Sequence, residues 1–235
     1  MTPHLFKLDL PIGRALTRVG VWLVRDDDGW IMVDAGPPWY ARVVHDATIA
    51  RTGGEIPKCL ILTHGHVDHA GSVHFLQDRW AIPVLAHAAE REFVEGIASY
   101  DSVRPAWWGH RLIQPIFSVV NRLAPGARVT GTIADGDTVG GLLVRHVPGH
   151  APGMIALIHQ TDRAIIVGDT FISRAGHLHL PITFFTPDPV AATAAMDTLL
   201  REHFDHVLPS HGRPILYSGR LEAERAATRA RKRHR

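Results

Sequence analysis

The sequence predicts an α/β layered fold on three observations. Short apolar runs bounded by turn residues alternate with stretches of helical periodicity, an Asp-Gly dipeptide splits an early apolar region into a hairpin, and several strand-like runs in the second half precede one long apolar-periodic segment. The 235 residues are 46% apolar and 20% charged, the composition of a folded chain with a sizeable core. No linker divides them, so a single domain is expected over residues 1–217, followed by a C-terminal helix and basic tail at 218–235.

Residues 21–33, VWLVRDDDGWIMV, read as two strands joined by the Asp-Gly turn. After DAGPP, apolar residues recur at helical spacing from Trp39 to about Arg51, and TGGEIP stops that helix. KCLILT is a compact apolar run between turn residues and reads as a buried strand. AGSVHFLQDRW is helical and IPVLAH returns to strand. Residues 88 to about 128 break the rhythm: Pro105, Pro115 and Pro125 separate helical pieces, and such an excursion beside a functional loop is a candidate lid. Strands resume with RVTGTI, LLVRHV, MIALIH and AIIVGD. TPDPVAATAAMDTLLREHF then offers Thr186 and Asp188 as helix caps with prolines in the first turn, before a last strand and loop, HVLPSHG, and the final helix.

Composition excludes several classes. No stretch approaches the roughly 20 apolar residues of a membrane-spanning helix. The opening MTPHLFKLDLPIGRALTRVG carries Asp9, Arg14 and Arg18 where a secretory signal requires an apolar segment, so a cytoplasmic location is expected. Cys59 is the sole cysteine, which rules out an internal disulfide and leaves nitrogen and oxygen as the ligands of any zinc site. The net charge of +2 hides a basic end: RLEAERAATRARKRHR holds seven Lys or Arg against two Glu. No aromatics are interleaved there to stack on bases, so a solvated helix end is expected and a nucleic-acid partner is not.

The chemistry concentrates in THGHVDHAG, residues 63–71, where His64, His66, Asp68 and His69 follow the apolar run CLIL. A strand would point these side chains two ways and a helix would spread them round its circumference, whereas a tight loop lets them converge, with Gly65 freeing the backbone to turn. Imidazole with carboxylate suits zinc, with manganese or iron as alternatives. A second ion, about 3.5–4 Å from the first, needs more ligands and a bridging group. VPGHAPG, IIVGDT and VLPSHG present His150, Asp169 and His211, each after an apolar strand and beside glycine or proline.

This order, with VDAG at 33–36 upstream, resembles the metallo-β-lactamase fold superfamily over about residues 20–215. The resemblance implies a four-layer αββα sandwich with a partly helical lid insertion at about 88–128. It also implies a metal pair: His64, His66 and His150 on one ion, Asp68, His69 and His211 on the other, Asp169 bridging, and Asp34 supporting the site from behind. Two zinc ions would acidify a shared water and polarise the electrophile it attacks, so the expected enzyme is a dinuclear zinc-dependent hydrolase, esterase- or lactonase-like. Asp68 is the candidate to orient that water and carry its proton to the leaving group. The expected substrate is a small, partly apolar ester or lactone. Thioester or phosphodiester cleavage is the alternative, and an iron-dependent persulfide dioxygenase a more distant one. Ile172 stands where many lactonases of this fold place a tyrosine. Trp107, Trp108 and Phe117 in the excursion, Phe184 before the late helix, and His177, at period-two spacing with His179, are the candidate pocket residues.

Overall fold

The computed structural model describes residues 2–12, 17–100, 124–181 and 185–233. The hairpin expected over 21–33 is present as β2 (Thr17–Asp26) and β3 (Gly29–Val33), and Asp26 closes its turn by accepting the Asp28 N–H at 3.0 Å. Together with β1 (Leu5–Ile12), β4 (Cys59–Ile61), β5 (Val84–His87) and β6 (Gly131–Ile133) it forms a six-stranded sheet in chain order. The first three strands are antiparallel, and β3 to β6 are parallel. Between the parallel strands run α1 (Ala41–Thr52), then α2 (Val67–Ala70) and α3 (Val73–Trp80), as crossover connections require. A short α4 (Arg91–Val94) follows β5.

The second sheet has the order β13-β10-β9-β8-β7, built from β7 (Thr138–Val139), β8 (Leu142–His146), β9 (Ile155–His159), β10 (Ala164–Gly168) and β13 (His206–Pro209). A two-stranded hairpin, β11 (Ile172–Arg174) with β12 (His177–His179), lies between β10 and the helix α5 (Pro189–Leu199). Asp188 caps α5 by accepting the Ala191 N–H at 2.8 Å. The chain's last described element is α6 (Gly219–Arg233).

Alternation along the strands creates three apolar layers. Trp22, Val24, Ile31 and Val33 point one way and meet Leu142, Val144, Ile155, Leu157 and Ile166 of the second sheet. Their neighbours Val21, Leu23 and Met32 point the other way, onto Val44 of α1 and Val73 and Leu76 of α3. On the far side Ala156, Ile158, Ile165 and Val167 face Met196 and Leu199 of α5 and the alanine stripe Ala223, Ala226, Ala227 and Ala230 of α6. Three apolar layers in series make the four-layer αββα sandwich. Burying each large apolar side chain stabilises the fold by roughly 1.5–3 kcal/mol. A one-residue slip would turn each strand's apolar set to the wrong face, so register is fixed and with it the strand ends.

Two features add to the sequence reading. β1 is an added edge strand, and its alternation is blurred because several of its residues are only half-buried. The segment from residue 218 does not trail from the domain: α6 docks its alanine face onto the core. Its basic side chains lie on the exposed face, where Arg229 donates to the Leu178 carbonyl at 2.6 Å, Arg225 donates to Glu222 at 2.7 Å, and Arg231 pairs with Asp197. Among the described residues no helix is long and apolar enough to cross a membrane. Within the excursion only Ala88–Glu90, α4 and the flanking residues are described; residues 101–123, which hold Trp107, Trp108 and Phe117, lie outside the described residues, as does Phe184.

Candidate metal centre

One edge of the sandwich gathers the ends of five strands. Asp34 follows β3, the block His64 to His69 follows β4, His150 lies between β8 and β9, Asp169 follows β10, and His211 follows β13. The two sheets are stitched at this edge by backbone hydrogen bonds from Ile155 N–H to the Thr63 carbonyl at 2.9 Å and from Gly20 N–H to the Ser210 carbonyl at 2.7 Å. Gly168 sits just before Asp169 at φ +52°, and a Cβ there would meet the Thr63 side chain at 3.1 Å, so this turn requires glycine on both counts.

The histidine block is not wholly a loop. His66 immediately precedes a single helical turn, α2, on which Asp68 and His69 are consecutive. The expectation that a helix would scatter the ligands fails because only two of the four lie on it, about 100° apart, while His64 and His66 approach from the extended segment before it. Gly65 also differs from expectation: it has no positive φ, and its missing side chain makes room instead, since a Cβ would stand 2.8 Å from the Tyr100 hydroxyl and 3.3 Å from Glu90 Oε2.

The predicted ligand side chains converge. His66 Nδ1 lies 2.9 Å from His64 Nε2 and 3.0 Å from His150 Nε2. His211 Nε2 is 3.2 Å from Asp68 Oδ2, and His69 Nε2 is 3.8 Å from the same oxygen. The Asp169 carboxylate stands between these groups: Oδ1 is 3.5 Å from His69 Nε2, and Oδ2 is 3.5 Å from His150 Nε2 and 3.4 Å from His211 Nε2. Three overlapping clusters, His64/His66/His150, His64/His69/Asp169 and Asp68/His69/His211, each bring their ligand atoms within 4.8 Å of one another.

Hydrogen bonds behind the cluster set which ring nitrogens face inward. Asp34 is fully buried and accepts from the Thr63 N–H at 2.8 Å, the Thr63 hydroxyl at 2.9 Å, His69 Nδ1 at 2.9 Å and the Ser210 hydroxyl at 3.3 Å. A carboxylate can only accept, so His69 carries hydrogen on Nδ1 and presents Nε2 inward. The Arg18 carbonyl, 3.0 Å from His211 Nδ1, does the same for His211. Thr63 spends its only proton on Asp34 and so accepts from His64 Nδ1 at 3.1 Å, which leaves His64 Nε2 bare. Asp34 itself adopts φ 60°, a left-handed conformation that aspartate tolerates better than most residues and that marks a site held by its surroundings.

Electrostatics divides the cluster. Burial, reinforced by neighbouring histidines, holds His64 well below the usual imidazole range; burial and His150 bring His66 down to about 3, and burial lowers His150. These three rings are neutral and ligand-competent. Burial opposes the charge on His69, but Asp68, Asp169 and Asp34 outweigh it and raise the ring to about 9; His211 is raised well above the usual range by Asp169 and Asp68 against burial. Burial likewise works against the charges of Asp68 and Asp169, yet the adjacent histidines hold both carboxyls below the usual range. The carboxylates are thus balanced by positive charge on His69 and His211, charge that a metal ion held there would supply once those rings were neutral. His69 Nε2 and Asp169 Oδ1 are buried with no hydrogen-bond partner, the arrangement of a cradle for positive charge, and nitrogen with carboxylate oxygen is the donor set that zinc takes.

Of the other predicted site residues, Asp34 lies behind His69, within hydrogen-bond distance of its Nδ1. His177 is a correction: its side chain is 61% exposed and pairs with Glu222 on α6 at 3.1 Å, because the β11–β12 hairpin turns it toward that helix. His87, at the end of β5, instead stacks on His146 with ring centres 4.1 Å apart and belongs to none of the ligand clusters. Sequence reasoning missed Thr63 and Ser210, although each directly precedes a metal-ligand candidate, and it missed Glu90 and Tyr100, whose contacts are distant in sequence.

With this geometry in view, comparison with known proteins is informative. The profile of the Metallo-beta-lactamase superfamily matches residues 17–211. A probable metallo-hydrolase of Bacillus subtilis, YybB, is 28% identical over 221 residues, covering 92% of this chain and 89% of that protein. The acyl-coenzyme A thioesterase MBLAC2 of Gallus gallus is 25% identical, covering 83% of this chain and 72% of its own length. Among solved structures, a metallo-beta-lactamase family protein of Thermus thermophilus superposes with a TM-score of 0.76 at 22% identity, covering 98% of this chain and 80% of that one. A second solved structure, TTHA1623 in a di-iron-bound form, gives 0.68 at 24% identity, covering 93% of this chain and 98% of that one.

Proposed function

We propose that this chain, which belongs to the metallo-β-lactamase superfamily and is a metallo-hydrolase, cleaves a carboxylic ester or lactone bond in a small, partly apolar substrate. The observation that carries the reading is the convergence of seven side chains around two buried, unpartnered atoms, His69 Nε2 and Asp169 Oδ1. In this reading His64, His66 and His150 would hold one zinc ion, Asp68, His69 and His211 a second, and Asp169 would serve both. A bound pair supplies Lewis acidity toward the carbonyl and acidifies water toward neutral pH.

The chain's own groups do the rest. Asp68 is the more accessible carboxylate of the cluster, at 28% against 9% for Asp169, so the attacking water and the leaving oxygen would reach it first. Its neighbours keep it ionised at neutral pH. It accepts the water's proton and passes that proton to the leaving alkoxide, so the protein is unchanged over the cycle. Asp34, Thr63 and Ser210 hold His69 and His64 in the tautomers this requires. Trp107, Trp108, Phe117 and Phe184 remain the proposed apolar wall, and the excursion at 88–128 the proposed lid. Nucleic acid has no part in the proposal, since basic residues of α6 are used within the fold.

The MBLAC2 relative supports a second reading, thioester hydrolysis, on the same site. Metal analysis of the purified chain, followed by a panel of aryl esters, lactones, thioesters and phosphodiesters, tests both. About two zinc per chain and turnover highest on esters or lactones are expected, with Asp68→Ala suppressing every substrate. Preference for thioesters would select the second reading, and one iron per chain with no hydrolysis would overturn both.

A further inference from the structure

Glu90 lies outside every ligand cluster, yet it is completely buried and its carboxylate is shared among three donors. Oε2 accepts from the Gly65 N–H at 2.8 Å and from the Tyr100 hydroxyl, while Oε1 accepts from the Gly153 N–H at 2.6 Å. Gly65 sits between His64 and His66, and Gly153 is three residues beyond His150. One side chain therefore spans the two loops that bring His64, His66 and His150 together.

The two glycines are shaped for this contact. Neither has a positive φ, so backbone freedom does not explain them. A Cβ on Gly153 would stand 2.8 Å from Glu90 Cγ, and one on Gly65 3.3 Å from Glu90 Oε2 and 2.8 Å from the Tyr100 hydroxyl. Tyr100 adds a third brace, because its ring packs on His66 at 4.3 Å between centres while its hydroxyl also accepts from the Gly65 N–H at 2.9 Å. A buried carboxylate is costly unless donors compensate it, and here the compensation comes from the backbone of the loops themselves.

We propose that Glu90 is a positioning residue: its carboxylate ties the 64–66 loop to the 150–153 loop and so sets the spacing of His64, His66 and His150 for metal. This rests on the reading of those three histidines as one metal's ligands. It assigns to Glu90 a task on that set and none on the set of Asp68, His69 and His211.

The test uses the full chain stripped of metal, with Glu90→Ala, the isosteric Glu90→Gln in case the alanine variant fails to fold, and Tyr100→Phe. Hydrogen exchange of the Gly65 and Gly153 amides reads the tie itself, and stepwise zinc titration against a competing chelator reads its effect. In folded Glu90→Ala both amides should lose protection together, and in Glu90→Gln, which keeps one acceptor oxygen, the amide that faces the NH2 group should lose it. In both variants one of the two zinc equivalents should weaken by about 10–100-fold, the usual cost of losing a group behind the ligands, while the other stays within about threefold. Tyr100→Phe should fall between wild type and Glu90→Gln. Unchanged amide protection, unchanged zinc affinity, or equal weakening of both equivalents overturns the positioning role while leaving the metal site standing. If the wild-type chain takes up no zinc, the metal-site reading fails and the role falls with it, whatever the amides show.

Discussion

Two histidine–aspartate clusters occupy opposite ends of β9, and only one of them is built as a cradle. At its start, where Ile155 bonds to Thr63, lies the seven-residue cluster; at its end His159 meets Asp162 and His4, again with ligand atoms within 4.8 Å of one another. Residue types and proximity are alike, but the hydrogen bonding is not. Asp162 accepts from His4 Nδ1 at 2.6 Å through one oxygen and from the His4 N–H at 3.1 Å through the other, and its own N–H donates to His159 Nδ1 at 3.2 Å. Both carboxylate oxygens are thus answered, and the group closes the β9–β10 turn onto the segment leading into β1. In the larger cluster the inward nitrogens of His69 and His211 stand 3.2–3.8 Å from carboxylate oxygens, and His69 Nε2 and Asp169 Oδ1 have no hydrogen-bond partner. A satisfied cluster staples; an unsatisfied one binds.

The sharpest way to break that contrast is Asp169→Ala. The carboxylate faces ligands of both proposed sets, so its loss should remove or loosen both metals and lower turnover by more than the roughly 10–100-fold typical of groups behind the ligands. Metal content and steady-state kinetics check it, and a variant that kept two tight zinc ions would sink the assignment of Asp169. Next in size is Asp34→Ala, which strips the partner from His69, Thr63 and Ser210 at once. Zinc affinity should fall by about 10–100-fold, and because a buried charged pair is broken the metal-free fold should lose roughly 3–5 kcal/mol, read by denaturant unfolding. An effect on affinity with none on metal-free stability would mean that the Asp34–His69 contact forms only with metal bound.

Legibility in the sequence followed how local the signal was. His64, His66, Asp68 and His69 lie within six residues after a buried run, so their convergence could be read from spacing. His150, Asp169 and His211 were legible only as residues at the ends of apolar strands, and it took the resemblance to join them. The layered fold was legible because core strands such as β9 and β10 are compact apolar runs, buried along their whole length. β1 escaped because an edge strand half open to solvent needs no clean alternation. Glu90 escaped for a different reason: its partners are 25 and 63 residues away, and a lone glutamate carries no local mark of the glycines it will join. His177 was misread because period-two spacing says which face of a strand a residue takes but not what lies opposite.

The smallest expected effects belong to the stapling cluster, and they sharpen the comparison because the same residue types should behave differently there. His4 is 40% exposed, so His4→Ala should cost only about 1 kcal/mol, a fall in Tm of roughly 2–4 °C, with metal content and turnover unchanged. The pH dependence has a definite sign. Burial works against the Asp162 charge, but hydrogen bonds from the N-terminal segment, His4 included, hold its carboxyl below the usual range. A carboxyl depressed in the folded state contributes stability that is present above its unfolded value, near 3.9, and that is lost as pH falls through the folded value. The stability difference between wild type and Asp162→Asn should therefore be largest at neutral pH and shrink below about pH 4, as thermal melts across that range would show. A difference that did not change with pH would mean that Asp162 acts through shape alone, and a third zinc equivalent lost in His4→Ala would mean that this end of β9 binds metal after all.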